Sequence, residues 1–224
     1  MLFSINDLTG FTANAEDFTA SVIDVFLARD TMRISHLAID IGGWLSNHTV
    51  VISADKLSSI DPDDRSITLQ ITKEQAQGAT VLNTTTLDDG LQLSDIPELV
   101  LGPSREDVTK AFLAKNAAKG QFLPATAVSG SLVSNGDEDL GQVIGLFADT
   151  ENLTTSHLAV DTGVGLPETQ RVIPISLVES VGDADTKTVL KIDSEKLKNS
   201  PQLEEFSAID RHWLDKVATY YGLT

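Results

Sequence analysis

The sequence predicts a mainly β protein built from two small β-barrels in tandem, and three observations carry that prediction. The first is a repeat. Ser35-His36-Leu37-Ala38-Ile39-Asp40 returns as Ser156-His157-Leu158-Ala159-Val160-Asp161, 121 positions later. Residues 35–74 align with 156–195 without a gap, and 14 of those 40 positions are identical, where unrelated segments of average composition share about 2 or 3. Val22, Ile23 and Phe26 match Val143, Ile144 and Phe147 at the same offset. The second is the strand signal itself: short runs rich in β-branched residues, alternating with polar ones and bounded by turn formers. The third is the near absence of helical periodicity inside either copy, which at this strand spacing suggests a small barrel.

The elements follow in order. The first domain covers residues 1–79. Its strands are read at 22–27, an apolar run with β-branched and aromatic residues, and at 37–41, where Leu37, Ile39 and Ile41 alternate with Ala38 and Asp40. Further strands are read at 50–52 and at 67–72, where Ile67, Leu69 and Ile71 alternate with Thr68, Gln70 and Thr72. Gly42-Gly43 and Asp61-Pro62-Asp63-Asp64 are turns, and Thr72-Lys73-Glu74-Gln75 reads as a capped helical turn. Residues 80–119 form a connector, irregular at first, with a short helix that starts at the N-cap Ser104 and continues through Val108, Ala111, Phe112 and Lys115 towards Gly120. The second domain, residues 120–200, repeats the scheme with strands at 143–148, 157–162, 172–175 and 188–192. Asn135-Gly136-Asp137 marks a hairpin turn. Residues 201–224 are a helical tail. Ile209, Trp213, Val217 and Tyr221 recur every four residues ahead of Gly222, which gives an amphipathic helix of about 14 residues with an aromatic stripe to bury.

Composition narrows the function classes. The 33 acidic residues outnumber the 16 basic ones, for a net charge of −17. Such a surface repels phosphate backbones, so nucleic acid is excluded as a partner. The chain has no cysteine, which rules out disulfides, thiolate zinc sites, iron–sulfur clusters and cysteine nucleophiles. No apolar stretch approaches the ~20 residues that span a bilayer, so no membrane insertion is expected. The opening Met-Leu-Phe-Ser-Ile-Asn-Asp lacks the basic region of a leader peptide, and a cytoplasmic, acidic protein is the expectation.

The strands also carry a family pattern. The first copy reads Asp7-Leu8-Thr9-Gly10-Phe11, Val22-Ile23-Asp24-Val25-Phe26, Leu37-Ala38-Ile39-Asp40-Ile41-Gly42-Gly43-Trp44-Leu45, Val50-Val51-Ile52-Ser53 and Ile71-Thr72-Lys73-Glu74-Gln75. The second reads Gly141-Gln142-Val143-Ile144-Gly145-Leu146-Phe147, Leu158-Ala159-Val160-Asp161-Thr162-Gly163 and Val172-Ile173-Pro174. This pattern resembles PRC-barrel domains, the type found in the cytoplasmic part of the photosynthetic reaction centre H subunit. The resemblance covers most of the chain as a tandem pair. It departs at Ala20, where the family commonly has Gly, and at Val164-Gly165, which stand in place of Gly43-Trp44. It implies two PRC-type barrels, a non-enzymatic role and protein contacts.

The candidate interaction residues are His36, Asp40, Trp44, His157, Asp161 and Trp213. Both histidines are kept by the repeat, and strand alternation puts His36 with Asp40, and His157 with Asp161, on one face. A His–Asp pair titrates near neutral pH or ligates a metal. A metal site needs three or four convergent ligands, so no metal is assigned. The same alternation sends Ser35 and His36 to opposite faces, so they are not read as a nucleophile and its base. The sequence has no Gly-x-Ser-x-Gly elbow and no phosphate-cradling glycine loop, and no catalytic or cofactor-binding residue is assigned. Trp44 sits at a turn tip, where an exposed ring makes a natural anchor for a partner. The expected function is a non-catalytic protein-interaction or scaffolding module. The alternatives are a small-ligand or metal-responsive sensor using the His–Asp strand, and an H-subunit-like accessory to a membrane complex. The protein partners are not named by the sequence, and a homodimer is left open.

Overall fold

A computed structural model describes residues 2–42, 49–77, 80–81, 99–102, 121–163, 169–203 and 209–223. Trp44 and the connector helix expected at 104–120 lie outside the described residues. The described chain is mainly β and holds two mixed sheets. It divides into two compact units, one of residues 7–125 and one of residues 1–6 with 126–224.

The first strand of the chain, β1 (Leu2–Ser4), belongs to the sheet of the second of these units. The unit of residues 7–125 then builds β2 (Thr12–Asn14), β3 (Thr19–Ala28), β4 (Ile34–Asp40), β5 (Thr49–Ser53), β6 (Leu57–Asp61), β7 (Ser66–Leu69), β8 (Thr80–Val81), β9 (Leu99–Gly102) and β10 (Phe122–Pro124). Their order is β6-β7-β2-β3-β4-β5-β9-β8, and β10 also pairs with β3. The other unit holds β11 (Leu132–Ser134), β12 (Asp139–Asp149), β13 (Thr155–Asp161), β14 (Gln170–Pro174), β15 (Val178–Ser180) and β16 (Thr188–Leu190). Their order is β14-β13-β12-β11-β16-β15, with β1 on β12.

Six strands therefore follow the same order in both units. The parallel pairing of β2 with β7, Ala13 opposite Ile67, returns as β11 with β16, Val133 opposite Thr188. The repeat in sequence is a repeat in topology, and the register departs at β11–β12, where a shift between Val133 and Ser134 has no counterpart in β2–β3. The first strands depart from the sequence boundaries: β1, from the first copy, pairs Phe3 with Ala148, whereas β10, from the second, pairs Leu123 with Leu27. Among the described residues the end strands of neither sheet pair with each other, so each sheet is an open path of hydrogen bonds.

Apolar runs fill the cores, and in β4, β5 and β13 consecutive residues such as Leu37, Ala38 and Ile39 are buried, so the alternation expected of Ala38 against Leu37 and Ile39 does not hold. Val22, Val25, Leu27, Leu37, Ile39, Val50 and Ile52 are buried in one unit, and Val143, Leu146, Leu158, Val160 and Ile173 in the other. Each such side chain contributes roughly 1.5–3 kcal/mol by leaving water. Turn chemistry fixes the ends. Asn135 accepts from the Asp137 and Glu138 N–H groups around Gly136 at φ +93°. Thr72 and Gln75 cap one another reciprocally at the start of the helix Lys73–Gln77, the capping box that their spacing predicts. At Gly141, φ is +141° and an added Cβ would collide with the Asp161 carbonyl, so only glycine lets β13 approach there.

The tail is helical from Arg211 to Tyr221, 11 residues. It is shorter than predicted because Asp210 stops it as N-cap, accepting from the Trp213 N–H at 2.7 Å, and leaves Ile209 ahead of the helix. Gly222 closes it in the left-handed conformation at φ +74°. Ile209 and Trp213 pack on Phe147, Ala159, Val172 and Leu203 of the same unit, which is where the aromatic stripe goes.

Candidate functional site

The repeated histidines sit on β-bulges. Phe26 pairs with His36 and Leu27 with Ile34, so Ser35 is an extra residue without a partner in the ladder. Phe147 with His157 and Ala148 with Thr155 leave Ser156 in the same position. A bulge breaks the two-residue alternation and re-aims a side chain. This overturns the expectation that Ser35 and His36 point apart: Ser35 Oγ lies 3.1 Å from His36 Nδ1, and Ser156 Oγ 2.9 Å from His157 Nδ1.

The serine hydroxyls are already committed. Ser35 donates to the Phe26 carbonyl at 3.0 Å and Ser156 to the Phe147 carbonyl at 3.3 Å. Each Oγ must then accept from the ring, which puts the proton on Nδ1. Burial holds both imidazoles down to about 4, with the Asp55 carboxylate opposing that shift weakly at His36. Neither arrangement is a nucleophile poised beside a base, because each hydroxyl hydrogen points at a carbonyl.

The aspartates are elsewhere. Four strand residues separate His36 from Asp40, roughly 13 Å at the strand rise. Asp40 accepts from the Gly42 N–H at 2.9 Å, and Asp161 from the Gly163 N–H at 3.0 Å and from the Thr169 hydroxyl. They are turn caps. The structure does not bring the predicted His–Asp pairs together, and among the described residues no three His, Asp or Glu side chains converge on a point. The acidic turns fold on themselves: Asp61 accepts from the Asp63 and Asp64 N–H groups, and Asp139 pairs with Lys187. Trp213 is half-buried under its own helix.

The structure adds a feature that the sequence reading missed. At the end of β3 an open cleft of about 540 Å3 is lined by Ala28, Arg29, Asp30, Gln121 and Phe122. The Arg29 N–H donates to the Gln121 carbonyl at 2.8 Å, which continues the β3–β10 ladder to the rim. Phe122 meets the His36 ring edge-on at 5.6 Å, so the repeated histidine supports the aromatic side of the cleft from behind. The turn that follows Asp30 is tightened by Met32, whose N–H reaches the Ala28 carbonyl at 2.7 Å with φ +52°. Nothing in the sequence before β10 is added to β3 marks this concavity, because Gln121 and Phe122 lie about 90 positions from Arg29.

No protein-family model matches the chain, and no curated protein matches it significantly.

Proposed function

We propose that the chain is a tandem PRC-barrel-like protein that acts by binding other proteins, with the cleft at Phe122 as its docking point. The cleft carries this reading. Its lining joins the aromatic residue Phe122 with Arg29, Asp30 and Gln121 in an open concavity, residue types from which protein interfaces draw their anchors and rims. The barrel reading is supported by the shared strand order and by the long, bulged strands β3 and β12. Each takes two strands in succession, β2 then β10 in one case and β11 then β1 in the other, as a strand coiled by bulges can. A net charge of −17 favours a partner with a basic docking face, by steering its approach.

The test is affinity capture from native lysate with the immobilised full chain and with Phe122→Ala, both checked by circular dichroism. The expected result is a small set of proteins held by the native chain and released by the variant. Capture of nothing specific, or of the same proteins by both, contradicts the proposal.

A further inference from the structure

We infer that residues 7–125 are a folding insert within the other unit, and that the outer unit relies on the insert being folded. The connectivity carries it. β1 lies on β12, Phe3 opposite Ala148. The Ile5 N–H donates to the Leu146 carbonyl at 2.8 Å, and Asn6 Oδ1 accepts from the Leu146 N–H at 3.0 Å. Phe3 and Ile5 are 6% and 0% exposed, so this short strand is part of the outer core. The chain re-enters that unit at residue 126, after 119 residues that belong to the other.

Docking β1 on β12 while the middle is unfolded closes a loop of that whole length. A folded insert shortens it, because both its ends are held on one strand. The Gly10 N–H meets the Val22 carbonyl at 2.8 Å, and Pro124 lies opposite Phe26. Four residues of strand separate these points, roughly 13 Å, a span that about 6 flexible residues cover. Closure becomes less favourable as the three-halves power of loop length, so a folded insert makes it easier on the order of 100-fold.

The coupling is shared by both units, and its cost arises in the outer unit's loop. The insert is one contiguous stretch and folds without closing any outer loop. The outer unit folded around an unfolded insert holds a long, disordered ring and bears the full entropy of closing it. A partner that grips the outer unit therefore also holds the insert folded, by linkage.

Residue-resolved hydrogen exchange along a denaturant titration of the full chain tests this, using two matched core truncations. Leu37 and Leu158 are equivalent in the repeat, and both are 0% exposed. Leu158→Ala is expected to make residues 126–224 unfold first, leaving 7–125 to unfold afterwards at their own midpoint. Leu37→Ala is expected to lower the midpoint of 7–125 and, with it, that of 126–224, whose folding equilibrium falls by up to about 100-fold once the insert is unfolded. If Leu37→Ala does not fold, Ile39→Val makes the same comparison with a smaller loss. Residues 126–224 keeping their native midpoint while 7–125 unfold earlier would overturn the inference.

Discussion

Ser35 Oγ lies 3.1 Å from His36 Nδ1 although the two residues are neighbours on one strand, and Ser156 and His157 repeat the contact at 2.9 Å. Because each hydroxyl donates to a carbonyl, removing it leaves a largely buried ring N–H without its acceptor. Ser35→Ala should lower stability by about 1–3 kcal/mol, read as a drop in denaturant midpoint without a change in slope. Nitrogen chemical shifts of His36 in the native chain should report the Nδ1–H tautomer. The opposite tautomer would show that the hydroxyl is aimed elsewhere.

Acid should unfold the chain through these rings. His36 and His157 are held at about 4 in the folded chain, against 6.5 when free. The unfolded state thus binds more protons throughout that interval. Their contribution to stability is whole above pH about 6.5, declines as pH falls to about 4, and is level below. Each histidine accounts for a loss on the order of 3 kcal/mol. The His36→Asn, His157→Asn double variant keeps a side-chain N–H for each serine and should flatten the slope in that interval. An identical slope in both proteins would count against burial as the cause.

Thr155 carries a fully buried hydroxyl with no hydrogen-bond partner among the described residues, at the position where the first copy has Ile34. An orphaned hydroxyl in an apolar site is unfavourable by about 1–3 kcal/mol. Thr155→Val should raise the melting temperature, and a lower one would mean that the hydroxyl has a partner after all.

Trp213 joins the C-terminal helix to Phe147, Ala159, Val172 and Leu203. An isolated helix of this length is marginal in water. Trp213→Ala should therefore cost about 2–4 kcal/mol and speed amide exchange along Arg211–Tyr221 more than in β13. Equal effects in both segments would place the ring's main contacts outside the cluster.

Much of this was legible in the residues. The alternation of Ile67 and Leu69, the capping pattern at Thr72 and Gln75, and the stripe ending at Tyr221 depend on local physics, and the structure forms each of them. The bulge of the first copy left a subtler sign, which the expectation of opposite faces for Ser35 and His36 passed over, and that of the second copy left none, since Thr155 stands where the first has Ile34. Strict alternation puts Ile34 and Leu37 on opposite faces, yet both are apolar, and both are buried. Two polar residues between them signal an inserted one. The placement of β1 on β12 was not legible, since three-residue strands carry little pattern and their pairing is decided by sequence-distant partners. The cleft at Phe122 escaped for the same reason.

The proposed function has the chain docking another protein at Phe122. The most direct measurement is the hydrogen-exchange footprint of the full chain with and without its captured partner. Slowed exchange concentrated at residues 28–30 and 121–122 is the expected result. A footprint that leaves those residues untouched would contradict it.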